Sequence, residues 1–331
     1  MNPSVHRRVP GILLASAAAL ILGACGGGSS SGEDPVGASV ERDIAPAAAD
    51  PLITTATASH VAITPDPSAM VAGRLFVFLP GTQGVPDLYR LVLRSAATRG
   101  YHALGLSYPN DEAIGAICFL QPSGCFWDVR REVVTGGDSS PLLSVATSDS
   151  ITTRVAKAVA YLDANHPGEG WGQYLAGGIV DWSRVVVGGH SQGGGHAGVM
   201  SKLYSMSGAC YFSSPADWSV IDQAPASWTQ RVNLTAASRQ YGFGNVRDTL
   251  VPYDQLSEIW AAMGLTAWGS PVSVDSNVPP FGDSHVLTTA APGVGNMPSP
   301  EHGSTVRDAA TPRDSSGRPV FDPVWAYMCL R

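Results

Sequence analysis

Gly189-His190-Ser191-Gln192-Gly193 is the stretch of this sequence best suited to chemistry. The apolar run Arg184-Val185-Val186-Val187 leads into it, and a Gly/Ala-rich helical start follows. A serine at a sharp strand-to-helix turn is lifted clear of the sheet. The turn strains its backbone, and side chains at 189 and 193 would collide with neighbouring elements. The helix N-terminus beneath it favours developing negative charge. Such a serine is placed for nucleophilic attack, but its hydroxyl is weak near neutral pH. It needs an imidazole as base and an acid to hold the imidazole's tautomer. Acyl transfer also needs N–H groups aimed at an oxyanion. The plain alternative is a glycine-rich turn with an inert serine.

The elements that must position Ser191 alternate. Arg74 to Leu79 reads as a buried strand stopped by Pro80-Gly81. Pro86 to Arg99 has helical spacing, with Leu88, Leu91, Val92 and Ala96 on one face and Gly100 as the stop. Tyr101 to Tyr108 is the next strand, and Ile151 to Asn165 the next helix. After Ser191, helices are expected over Gln192–Met206, Pro252–Gly264 and Phe321–Leu330. This alternation predicts an α/β fold, with a mainly parallel central sheet and helices on both faces. Ligands of such sheets sit at the carboxyl ends of the strands. Residues 109–150 fit neither period and are read as a lid or substrate-binding excursion.

The chain has 331 residues, 44% hydrophobic and 14% charged, with a formal net charge of −7 and no Lys/Arg-rich run. That composition is globular and excludes nucleic acid as a partner. Near the N-terminus His6-Arg7-Arg8 precedes an apolar run from Gly11 to Leu22, then Leu22-Gly23-Ala24-Cys25. This looks like a bacterial lipoprotein signal, and an ordinary secretory signal is the alternative. The expectation is a signal peptide over 1–24 and a lipid on Cys25 that makes the membrane a partner. The location is then the cell envelope, with Gly26 favouring the outer membrane. A flexible Gly/Ser/Ala/Pro-rich tether follows over 25–55, then one domain over 56–331. Cys118, Cys125, Cys210 and Cys329 are an even set in an exported chain, so disulfides are expected, with three pairings possible. Cys118–Cys125 with Cys210–Cys329 is the pairing favoured. No Cys-x-x-Cys or His-x3-His spacing calls for a metal, and no cofactor is expected.

These motifs resemble the α/β-hydrolase family, from about Leu75 to the C-terminus. Secreted bacterial esterase-like and depolymerase-like hydrolases are the nearer match, through Leu79-Pro80-Gly81-Thr82 and Gly189 to His196. The resemblance implies an oxyanion hole from the backbone N–H groups of Gln192 and Thr82, with Gln83 second to Thr82. Pro80 stands where the family often has histidine. The family's order of serine, acid, histidine implies His302 as base, in Glu301-His302-Gly303-Ser304-Thr305. His285, at the wrong end of a strand, and His196, one turn into a helix, are the alternatives. Asp248, in the stretch Asn245 to Pro252, is the implied acid and Asp217 the alternative; either could merely cap a helix. His190 is read as a support for the turn. The activity implied is cleavage of a carboxylic ester, whether of a small molecule, lipid or polymer. A peptidase or amidase with the same triad and an inactive binding module are the rivals. Tyr108, Phe119, Phe126, Trp127, Trp218, Phe243 and Trp260 are read either as packing or as substrate contacts.

Overall fold

The structure, a computed structural model, describes residues 38–296 and 298–331. The signal peptide, Cys25 and the first part of the tether lie outside the described residues. Nine strands form one sheet: β1 Val40–Ile44, β2 His60–Thr64, β3 Leu75–Leu79, β4 His102–Gly105, β5 Val185–His190, β6 Gly208–Phe212, β7 Gln240–Asn245, β8 Val272–Ser273 and β9 Val286–Thr289. Their spatial order is β1-β2-β4-β3-β5-β6-β7-β9-β8. The pairs β1–β2 and β2–β4 are antiparallel, and every other pair is parallel.

The strands are apolar on both faces because both faces are covered. Leu75, Val77 and Leu79 of β3 join a core with helices α4 Gly124–Thr135, α5 Ile151–Asn165, α6 Gln192–Leu203 and α7 Tyr253–Ala262. Phe76 and Phe78, pointing the opposite way, join a second core with α2 Arg90–Ala97 and α9 Asp322–Cys329. The expected α/β architecture with a large, mostly parallel sheet is therefore present.

Two stretches differ from expectation. The tether expected over 25–55 ends early, because β1 and the short helix α1, Pro46–Ala49, lie inside it. Val-Glu-Arg-Asp-Ile has no apolar alternation because β1 is an edge strand, where charge blocks unwanted pairing. Its charges are used: Arg42 forms a two-pronged bond with Glu169, and Glu41 and Asp43 both hold Arg90. The excursion at 109–150 contains the short helix α3, Ile114–Ile117, and α4, which is packed into the core rather than lying over it. Arg130 and Glu132 are 2% and 0% exposed, so charges occupy core-facing positions and break the helical period. Glu132 satisfies its carboxylate on the backbone N–H groups of Ser139 and Val145.

Both favoured disulfides are formed, Cys118–Cys125 and Cys210–Cys329, with Cα–Cα distances of 5.7 and 5.8 Å. Such bonds belong to an extracytoplasmic, oxidising compartment. No helix among the described residues is long and apolar enough to cross a membrane.

Candidate active site

Ser191 sits between β5 and α6 with φ 52° and ψ −118°, in the left-handed half of conformational space that side chains rarely adopt. The strain is held by close packing. A Cβ added at Gly189 would lie 2.3 Å from the Gly193 carbonyl carbon, and one at Gly193 would lie 2.0 Å from Leu79 O. The Ser191 N–H donates to Phe212 O of β6 at 2.9 Å.

His302 lies on the one-turn helix α8, Pro300–Ser304, after β9, and Asp248 lies in the turn after β7. His302 Nδ1 and Asp248 Oδ2 are 2.7 Å apart, with side chains only 10% and 1% exposed. The other carboxylate oxygen accepts the N–H groups of Leu250 at 2.9 Å and Val251 at 3.1 Å. An ionised carboxylate can only accept, so opposite it Nδ1 is the donor, and in the neutral ring this tautomer gives Nε2 the lone pair. Among the described residues neither His302 Nε2 nor Ser191 Oγ makes a hydrogen bond, to each other or to anything else. Serine–histidine contacts in free enzymes are commonly long and tighten with substrate.

The backbone of His302 is clamped to the turn. Its carbonyl accepts from His190 Nε2 and from Ser213 Oγ, both at 2.9 Å. The rings of His190 and His302 are 4.7 Å apart. Burial, then the neighbouring imidazole of His302, hold His190 well below the ordinary histidine range, so it is neutral. Nε2 must carry the proton because a carbonyl cannot donate, so Nδ1 accepts from Tyr89 Oη at 3.0 Å. Tyr89 Oη in turn accepts the Gly81 N–H at 3.3 Å. One chain of hydrogen bonds thus links the Pro80–Gly84 loop, the residue before Ser191 and the segment bearing His302. Tyr89 and Ser213 were not singled out in the sequence. Their partners lie 101 and 89 residues away, and no local pattern marks them.

The Gln83 N–H donates to Asn110 O at 2.9 Å and is not free for an oxyanion. The N–H groups of Thr82 and Gln192 have no acceptor among the described residues. That of Gln192 is one of the first-turn donors any helix leaves unused. The Gln192 side chain joins the two: its Oε1 accepts from Thr82 Oγ1 at 2.8 Å and from Ile114 N at 3.3 Å.

The alternative residues lie elsewhere. Asp217 is paired with Arg130, Nε to Oδ2 at 2.6 Å with a second contact from Nη2, and accepts from Trp228 Nε1 at 2.7 Å. Arg130 Nη1 holds the Gln192 carbonyl at 2.9 Å, and a Cβ at Gly195 would strike its guanidinium at 2.2 Å. His285 precedes β9, bonds Gln240 O at 2.9 Å and lies against Tyr241 and Trp268. His196 is wholly buried, edge-on to Tyr108, with neither ring nitrogen bonded among the described residues. Tyr108, Phe126, Trp127, Phe243 and Trp260 are packing residues, and Trp218 is half-buried; of the seven aromatics only Phe119 is exposed.

The arrangement offers a strained serine, an imidazole oriented by a carboxylate and two unengaged backbone donors on one edge of the sheet. No protein-family model matches this sequence, and no curated protein matches it either.

Proposed function

We propose that the chain is a serine hydrolase of α/β-hydrolase fold that cleaves carboxylic esters through an acyl-enzyme, and that it is exported and anchored by a lipid on Cys25. The observation that carries the reading is the 2.7 Å bond between His302 Nδ1 and Asp248 Oδ2, on a segment whose carbonyl is tied to His190, next to Ser191. A buried structural histidine has no need of a carboxylate on one nitrogen and nothing on the other.

In this reading Ser191 Oγ attacks the ester carbonyl and gives its proton to His302 Nε2. The N–H groups of Thr82 and Gln192 receive the oxyanion, a contribution of about 3–4 kcal/mol for one such donor. Collapse breaks the bond to the alcohol oxygen, which takes the proton from Nε2 as it leaves. Water then repeats the sequence on the acyl-enzyme and releases the acid and Ser191. Asp248 keeps Nδ1 protonated throughout and favours the imidazolium.

A fluorophosphonate probe tests this directly. Labelling of the native chain that is lost in Ser191→Ala is expected, together with turnover of p-nitrophenyl esters well above that of p-nitroanilides. Faster anilide cleavage would replace the esterase by an amidase. A folded chain that ignores the probe would leave a binding module.

A further inference from the structure

Against Gln192, whose side chain reaches Thr82, lies a cavity of about 110 Å³, lined also by Pro109, Asn110, Ile114, Val133 and Leu143, with the exposed Asp111 and Glu112 at its rim. Its wall is Gln192, a residue only 5% exposed. The orientation of that carboxamide is fixed. The Ile114 N–H can only donate, so the atom facing it is Oε1, which also takes the Thr82 hydroxyl. Nε2 is therefore the free end: no acceptor among the described residues takes it, and it is not enclosed, so solvent reaches it. A donor held in one orientation by two bonds to its own carboxamide oxygen, and engaged by nothing but solvent, is available to an acceptor on a bound molecule.

We infer that this cavity is a substrate subsite for a short, uncharged, oxygen-bearing arm, whose oxygen accepts a hydrogen bond from Gln192 Nε2. The inference rests on the esterase reading and adds a substrate class to it. A cavity of about 110 Å³ suits a short arm and not a long acyl chain. Ile114, Val133 and Leu143 suit carbon, and Nε2 suits one neutral oxygen. Asp111 and Glu112 are exposed at the mouth and repel an arm ending in a carboxylate. An ammonium group would suit those acids but would meet Nε2 donor to donor.

The test compares p-nitrophenyl butyrate with p-nitrophenyl methoxyacetate, which has the same shape with one acceptor oxygen in the chain. Native enzyme should prefer the methoxyacetate in kcat/KM by about tenfold beyond the ratio of their spontaneous hydrolysis rates, the size of one hydrogen bond. Gln192→Met should bring the preference back to the spontaneous ratio, whatever its absolute rate. Leu143→Phe, which fills the cavity from the side, should raise the acetate-to-butyrate ratio several-fold. A p-nitrophenyl hemisuccinate should be poor, and better in the double variant Asp111→Asn, Glu112→Gln. If the probe labels Ser191 but the methoxyacetate preference is the same in native and Gln192→Met enzyme, the subsite is wrong and the esterase stands. An unchanged acetate-to-butyrate ratio in Leu143→Phe would equally overturn it. Failure of labelling overturns both.

Discussion

Asp217 and Asp248 follow neighbouring strands, β6 and β7, and both are almost fully buried. Each grips a basic side chain that comes from far away in sequence, and Asp217 also accepts the Trp228 indole N–H. Asp217 holds Arg130, whose Nε and Nη2 go to the carboxylate and whose Nη1 goes to the Gln192 carbonyl. Asp248 holds His302, whose second nitrogen is unbonded among the described residues. A guanidinium keeps its proton at any working pH, whereas an imidazole gains or loses one near neutrality. Burial and a short bond are thus common to both pairs. The difference lies in a partner that can change its charge and has an open side on which to do so. One pair braces the helix behind Ser191, and in the proposed reading the other moves a proton for it.

The contrast breaks most sharply on turnover. His302→Ala and Asp248→Asn should each lower kcat by about 10⁴-fold with little change in melting temperature, as removal of triad members does elsewhere. His302→Ala keeps the carbonyl that His190 and Ser213 hold, so the loop should survive. If His285→Ala abolishes turnover and His302→Ala does not, the base has been misassigned. Smaller in energy, and opposite in kind, is Arg130→Met. It leaves the Asp217 carboxylate buried without a cation, and urea unfolding should show a loss of about 3–5 kcal/mol. Adding Asp217→Leu should recover much of that loss. A single variant with native stability would show that the pair does not brace the helix.

The smallest effect concerns pH. Each pair has a buried neutral histidine beside it: His190 by His302 and His196 by Arg130. Burial holds both well below the ordinary range, with the nearby cation or imidazole adding to it. Burial likewise drives His60 down to about 3. Above pH ~6.5 neither folded nor unfolded chain protonates these rings. Below it only the unfolded chain does, so stability falls with falling pH by up to about 1.4 kcal/mol per unit for each histidine. His196→Phe should flatten the stability profile between pH 7.5 and 5.5. An unchanged slope would mean that His196 takes up its proton in the folded state.

What the sequence made legible follows from how local each signal is. The helix Ile151–Asn165 carries its period and its Ser150 cap within itself, and its bounds agree with expectation. Ser191 is marked by five adjacent residues whose glycines answer to contacts of 2.0–2.3 Å. Asp248 and His302 needed the chain order implied by the family resemblance, because each is an ordinary turn residue by itself. Arg130 and the edge strand at Val40–Ile44 escaped detection because their charges are satisfied by partners distant in sequence, and Glu132 because its carboxylate is satisfied by backbone N–H groups of the following loop, which no residue pattern marks. The Tyr89–His190–His302 chain is of that kind too, since each bond in it crosses between separate elements.

The disulfide from Cys210 to Cys329 closes a covalent ring with a sequence separation of 119 residues. Asp248 and His302 lie inside the ring, and Ser191 lies outside it. The connection between β9 and α8 is exposed around Val294–Asn296, where a protease would find it. A single nick there would not let the imidazole drift away, because the severed tail stays fastened to the central sheet through its last helix. Only a thiol reductant would then set it free.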